Sequence, residues 1–428
     1  MENLEMNTKK QVQINYNLNF ILLIMGRLVS NMGTATFNFA LSLYVLDITK
    51  SAAAFTMVIS FAILPGVLVN VLAGVFVDRH DKKKIIVISD ILSGLVAFAF
   101  MMLFKVYSTS IILFILYVIV LNSIQAFFNL SINASIPNIV SKENTAKANS
   151  AFQAMGAVIN ILGPIIGAIL YKSIGLEMLF LINAISFILS GCSEMFIVFT
   201  NKAETIEEKP QSSYLDNVKE VFAYLNIQKI LKFLLSIAVM LNAILNPMVL
   251  LVLQYITYNV IKISGIQLAL IQSSWAVGTI LGAVFVMTRK TVSPILRKFF
   301  VLLEVQALLI IVWFFPRLPI FADASKWTIT IIYIILIFLY GMLNTIQNVP
   351  LFTHFQLKIP EELRGRVFGV LFTALNISTP IGMWIFGFAL QKVDWVYVPV
   401  VSGILVFIIC LIQSRNKHFR EFINNLEA

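Results

Sequence analysis

The residues best placed to do chemistry are amides and hydroxyls set at helical spacing inside apolar runs. Asn31, Thr34, Asn38 and Ser42 step by three or four residues, as do Asn122, Gln125, Asn129 and Asn133. Asn242 and Asn246 form a shorter pair, and Tyr340, Asn344, Gln347 and Asn348 a fourth set. Such spacing keeps each set on one helix face. An unpaired amide in hydrocarbon costs several kcal/mol, so these faces must meet protein or water. Two readings follow: a shared polar pathway for a solute, or hydrogen bonds that join helices. Ionisable residues within the apolar runs are few: Arg27, Asp90, Glu194 and Glu304. A carboxyl in such a place has its charged form penalised and can exchange a proton, or it can serve as a neutral structural hydrogen-bonding group. For Arg27, Asp90 and Glu194, near the ends of their runs, snorkelling or structural ion pairing is the alternative. Glu304 sits near the middle of its run. Phosphate-cradling glycine loops, metal-ligand clusters and nucleophile-plus-base constellations are missing from the sequence. His80, His354 and His418 are far apart. No enzyme activity, metal or cofactor is expected.

The elements that must position these residues are membrane spans. Of 428 residues, 59% are hydrophobic and only 12% charged, with a mean hydropathy of +0.90. Soluble domains hold about 25% charged residues. Runs such as "WTITIIYIILIFLYGMLNTI" can cross a hydrocarbon core about 30 Å thick as helices. About twelve such runs occur, near 17–46, 52–77, 85–105, 109–134, 147–170, 177–199, 230–258, 265–287, 294–315, 327–349, 365–390 and 394–413. The polar N-terminus reads as no cleavable signal. Cys192 and Cys410 both lie in apolar runs and are expected to be buried free thiols.

With the N-terminus in the cytosol and spans alternating, 23 of the 31 Lys and Arg fall on the cytosolic side, seven outside, and Arg27 within a span. That bias fixes the orientation, with both termini cytosolic. It also argues that the net charge of +10 serves membrane topology, so no nucleic-acid partner is expected. The polar stretch 200–229 reads as a cytosolic linker with an amphipathic helix near 213–225. It separates an N-terminal six-helix bundle (17–199) from a C-terminal one (230–413), with cytosolic tails at 1–16 and 414–428. The halves echo each other. "LNSIQ" at 121–125 returns as "LNTIQ" at 343–347, and "GVFV" at 74–77 returns as "AVFV" at 283–286. Phe152, Asn160 and Pro164 recur as Phe368, Asn376 and Pro380. Six-plus-six repeats of this kind mark a large group of transporters.

The tight turn "GVFVDRHDKKK" at 74–84 joins the second and third spans. It resembles the loop between spans two and three of the major facilitator superfamily, Gly-x-x-x-Asp-Arg-x-Gly-Arg-Arg/Lys. Gly74, Asp78, Arg79, Lys83 and Lys84 match; Asp81 stands in place of Gly and Lys82 in place of Arg. The resemblance implies a cytosolic latch, with Asp78 at the N-terminus of span eleven, where the helix dipole favours a carboxylate and Arg364 and Arg366 are charge partners. Together with "IPNIVSKENTAKANS" and "IPEELRGRVFG", the turn resembles the bacterial macrolide-efflux branch, drug–proton antiporters that also include enterobactin exporters. "GPIIG" at 163–167 is similar to the span-five motif of antiporters, with Ala168 in place of its last Gly. The Arg that many drug antiporters carry in span four is missing, and no acid occurs in span one.

The expected fold is therefore all-α and polytopic, with about twelve transmembrane helices in two six-helix bundles. The expected function is secondary-active efflux of an amphipathic, macrolide-like compound by alternating access, coupled to the proton gradient. A siderophore or lipid exporter on the same fold is the nearer alternative. A non-transporting membrane receptor or assembly factor is the one from another class. Expected partners are a small-molecule substrate and the lipid bilayer of a bacterial cell membrane, with the chain working as a monomer.

Overall fold

The computed structural model describes residues 16–139, 145–198, 214–424 and 426. Every regular element among them is helical. Among the described residues, eleven helices are long and apolar enough to cross a membrane. One of them, Thr145–Met195, contains Gly175 at φ 75° and ψ 176°. Only glycine takes up such a backbone cheaply. The chain turns there, so this run is two spans, α5 (145–174) and α6 (176–195), and the total is twelve.

The other N-terminal spans are α1 (Tyr16–Thr49), α2 (Ala52–Arg79), α3 (Lys82–Tyr107) and α4 (Ile111–Ile139). A linker helix, Tyr214–Ile227, leads to α7 (Lys229–Pro247), which continues in wide π turns over Met248–Val252 and Tyr255–Val260. Then come α8 (Gly265–Met287), a short turn at Ser293–Arg297, and α9 (Phe299–Ile311), which tightens into 3-10 turns to Arg317. The last spans are α10 (Lys326–Lys358), α11 (Glu361–Lys392) and α12 (Tyr397–Ser414), followed by a C-terminal helix, Lys417–Asn424. Apart from α9, shortened at its start by the break at Lys298, the sequence-derived spans match to within a few residues or fall short at helix ends. The main extensions are the cytosolic ends of α4, α10 and α11, and the outer end of α1.

Local chemistry sets several of these features. Asp81, standing in place of the family's Gly, caps α3 by accepting from the amides of Lys83 (2.9 Å) and Lys84 (3.3 Å). Ser264 and Gln267 form a capping box that starts α8. Pro247 cannot donate to the Ala243 carbonyl four residues back, and Gly382 of α11 packs directly over that carbonyl. A proline break in one helix and a glycine in the next thus bring α7 and α11 into close contact.

The spans pack as two sets. α1 lies against α5 and α6, and α2 and α3 against α4. In the second half α8 packs on α10, α9 on α12, and α7 on α11. The sets meet along α2–α11 and α5–α8. Cys410 is buried as expected, but Cys192 is exposed. It lies on the outward face of α6, an apolar position that faces the bilayer and not the bundle.

Candidate substrate cavity and polar cluster

A cavity of about 570 Å³ lies between the two sets. Helices α1, α2, α4 and α5 line it from one half, and α7 to α11 from the other. Its polar groups are mainly amides: Asn38, Asn160, Asn242, Asn246, Gln254, Gln272, Asn344, Gln347 and Asn348, with Ser42 and Tyr340. Between them stand Phe39, Phe55, Trp275, Phe352, Phe355 and several leucines, and no charged side chain is among the lining residues. Pockets of about 300–1,000 Å³ with this mixture suit drug-sized ligands held by apolar contact and a few polar anchors.

The amides differ in how far they are committed. Asn38 is exposed to the cavity. Asn242 donates Nδ2 to the Leu375 carbonyl (2.9 Å) and lies within 3.0 Å of the hydroxyls of Ser378 and Thr379 on α11. It is a joint between helices as much as a wall. Asn246 lies beside it, its Nδ2 3.3 Å from Asn242 Oδ1. Asn348 donates to Asn344 Oδ1 at 3.2 Å. Gln347 is buried and accepts from Gln306 Nε2 of α9 at 2.8 Å.

The predicted residues of α1 and α4 divide. Asn38 and Ser42 line the cavity, whereas Asn31 and Thr34, half-buried and nearer the cytosol, do not. None of the four α4 residues lines it. Asn122 donates to the Val118 carbonyl of its own helix (2.7 Å), and Asn133 is exposed near the cytosolic end. Gln125 and Asn129 join a separate cluster inside the N-terminal set. There Gln125 Nε2 lies 3.0 Å from Ser93 Oγ and 3.4 Å from Asp90 Oδ1, and Arg27 donates to Asn129 Oδ1 at 3.2 Å. Asp90 and Glu194 are buried there. Glu304 is elsewhere: half-buried on α9, it neighbours Cys410 of α12 and is not among the cavity's lining residues.

Sequence reasoning missed the outer seal. Helix α1 runs past its expected end to include Asp47. The Asp47 carboxylate accepts from Tyr171 Oη of α5 at 2.7 Å and from Tyr258 Oη of α7 at 3.0 Å. Gln391 of α11 donates to Ser51 Oγ (2.6 Å), and Trp384 Nε1 to Ser60 Oγ of α2 (2.8 Å). A Cβ on Gly387 of α11 would collide with Thr56 of α2. Gly365 and Gly369, at the cytosolic end of the same helix, have no such neighbour within 4 Å. The α2–α11 seam is joined on the outer side.

Of the expected latch, Arg366 pairs with Glu220 of the linker helix, and Arg364 reaches the Ile359 carbonyl at 3.5 Å. Arg79 is exposed and Lys83 half-buried at the turn. The surroundings of Gly74 and Asp78 lie outside the described residues. No group of three or more His, Cys, Asp or Glu able to hold a metal occurs among the described residues.

Twelve spans in two sets of six around a central, uncharged cavity define a membrane transporter. The family model of the Major Facilitator Superfamily matches residues 23–383, and the chain belongs to that family. It is 23% identical over 425 residues to macrolide efflux protein A of Streptococcus pyogenes, covering 95% of this chain and 98% of that one. A shorter match, 32% identical over 177 residues, is to the uncharacterized MFS-type transporter YkuC of Bacillus subtilis, 41% of this chain and 40% of that one. Among solved structures, the nucleoside transporter NupG (D323A mutant) superposes with a TM-score of 0.71 at 12% identity, over 93% of this chain and all of that one. The chain is a multi-pass protein of the bacterial cell membrane and not an enzyme.

Proposed function

We propose that this transporter is a secondary-active exporter of an amphipathic compound of macrolide-like character, working by alternating access and driven by the proton gradient. The observation that carries this reading is the cavity: about 570 Å³, amide and aromatic, uncharged, and closed on its outer side. A small, highly charged metabolite would need fixed counter-charges in the wall. A large, mostly apolar solute needs aromatic surface and a few hydrogen bonds, which Trp275, Phe352, Asn38 and Asn344 offer. The full-length similarity to a macrolide efflux protein supports the same solute class.

In this reading the two six-helix units, 17–199 and 230–413, rock about the cavity, and one chain suffices. Tyr258 and Asp47 hold the outer side shut while solute enters from the cytosol. In the opposite state Asp78 closes the cytosolic side against α11, and Arg366 exchanges Glu220 for that partner. The test is a compound screen in drug-sensitive cells expressing the protein, with and without a protonophore. Protonophore-sensitive resistance to macrolides or related amphiphiles is expected. Unchanged susceptibility to every amphiphile, in cells shown to hold the protein in the membrane, would overturn the reading.

A further inference from the structure

The N-terminal set encloses two carboxyls and one guanidinium that the cavity does not use. Asp90 of α3 and Glu194 of α6 are 0% and 1% exposed. Arg27 of α1 is half-buried and continues the face that carries Asn31, Thr34 and Asn38. Its guanidinium lies 4.8 Å from the centre of the Phe152 ring. Ser190 of α6 lies with its Oγ 3.4 Å from Glu194 Oε1, and the next residue, Gly191, packs against the Asp90 side chain. The remaining oxygens, Asp90 Oδ2 and Glu194 Oε2, are buried without a partner, as is Arg27 Nε. Arg27 feels the charges of Glu194 and Asp90, Glu194 those of Asp90 and Arg27, and Asp90 that of Arg27. The helices α4 and α5 contribute only amides (Gln125, Asn129) and the Phe152 ring.

Two carboxyls thus face one counter-charge. Both ionised, they would leave a net negative charge sealed in a low-dielectric interior, which is costly. Closely placed carboxyls relieve this by sharing a proton. One proton on the pair leaves a single carboxylate to balance Arg27.

We propose that Asp90 and Glu194 hold a single exchangeable proton between them, balanced by Arg27, and that this is the proton exchanged for substrate. The proposal rests on the exporter reading and names the site of its coupling ion. With the cavity open to the cytosol, the carboxyl O–H breaks, its electron pair stays on oxygen, and the proton leaves to water past Arg27. With the cavity open outward, water returns a proton to the pair. The amide of Gln125 joins Asp90 to α4, the helix that reaches the cavity wall at Val118, so protonation and solute occupancy act on the same helix.

The test is infrared difference spectroscopy of the purified protein in lipid, which needs no substrate. The wild type should show a protonated-carboxyl C=O band that shifts in D2O. Asp90→Asn and Glu194→Gln should each remove it, because one acid alone is neutralised by Arg27. Should either variant fail to fold, Ser190→Ala replaces it and must shift the band without abolishing it. A wild type without the band, or a band that survives in both single variants, or one indifferent to Ser190→Ala, overturns the shared proton. A shared proton in a protein that moves no amphiphile against a pH gradient would end the exporter reading and the coupling role with it. Proton-driven flux with both acids permanently ionised would leave the exporter reading and remove the site.

Discussion

The outer seal offers the most direct test of how the two halves exchange states. Asp47 accepts from two tyrosines, but only Tyr258 belongs to the opposite half. The Tyr171 contact joins α1 to α5 within one half. Tyr258→Phe therefore removes one inter-half hydrogen bond to a carboxylate and leaves the other donor in place. Hydrogen bonds to charged groups are worth about 1.5–3 kcal/mol. Asp47 is exposed, so solvent and salt screen the contact, and about 1 kcal/mol is the appropriate figure. That corresponds to about a fivefold shift of a two-state equilibrium toward the outward-open form. Spin labels on Lys172→Cys and Lys392→Cys, one at the outer end of each half, read it out by dipolar distance measurement. The exposed Cys192 must first be replaced by Ser, whereas the buried Cys410 can stay. The long-distance population should rise about fivefold relative to the short one. An unchanged distribution, or a shift toward the short distance, would refute the seal.

Other consequences separate walls from joints. Asn38→Leu and Asn344→Leu should change which amphiphiles are transported while leaving thermal stability near wild type, checked by a susceptibility panel alongside melting curves. Asn242→Leu removes the donor to Leu375 and the hydroxyls of Ser378 and Thr379, and should lower stability by about 1–3 kcal/mol, seen as a reduced melting temperature in detergent. Glu304→Gln should leave proton coupling intact, because Glu304 faces α12 and not the cavity; loss of pH-driven flux in that variant would assign it the role given to Asp90 and Glu194. Asp78→Asn should favour the cytosol-open state and slow transport at normal expression, measured by labelling of cysteines introduced on the two sides.

The spans were legible because hydrocarbon imposes length rules that composition obeys. The run Thr145–Met195 shows how this works at a boundary: the apolar run ends near 170 and resumes near 177, and the chain turns between them at Gly175. The site was less legible. Periodicity picks out a polar face but not what the face looks at. On α10 the face meets the cavity, and on α1 only its outer half, Asn38 and Ser42, does; on α4 it meets its own backbone at Asn122 and the Arg27 cluster at Gln125 and Asn129. Cys192 shows the converse, an apolar position that is satisfied by lipid and not by protein. Asp47 escaped because it falls just past the apolar run of α1, and its partners Tyr171 and Tyr258 lie 124 and 211 residues away in sequence. No local pattern announces a contact of that range. Asn160 of α5 and Gln272 and Trp275 of α8 complete the cavity wall from helices without such a stripe, and Gln254 extends the Asn242–Asn246 face of α7 by two turns.

The central claim is that solute bound in the amide-lined cavity leaves against a gradient in exchange for protons. Proteoliposomes loaded at a defined pH, with a labelled macrolide on the side facing the cytosolic ends, measure both fluxes together. The account predicts macrolide movement toward the acidic side with opposite proton flow, abolished by Asn38→Leu with Asn344→Leu, and reduced to gradient-independent exchange by Asp90→Asn. Macrolide movement indifferent to the pH gradient, or undiminished when the cavity amides are replaced, would contradict it.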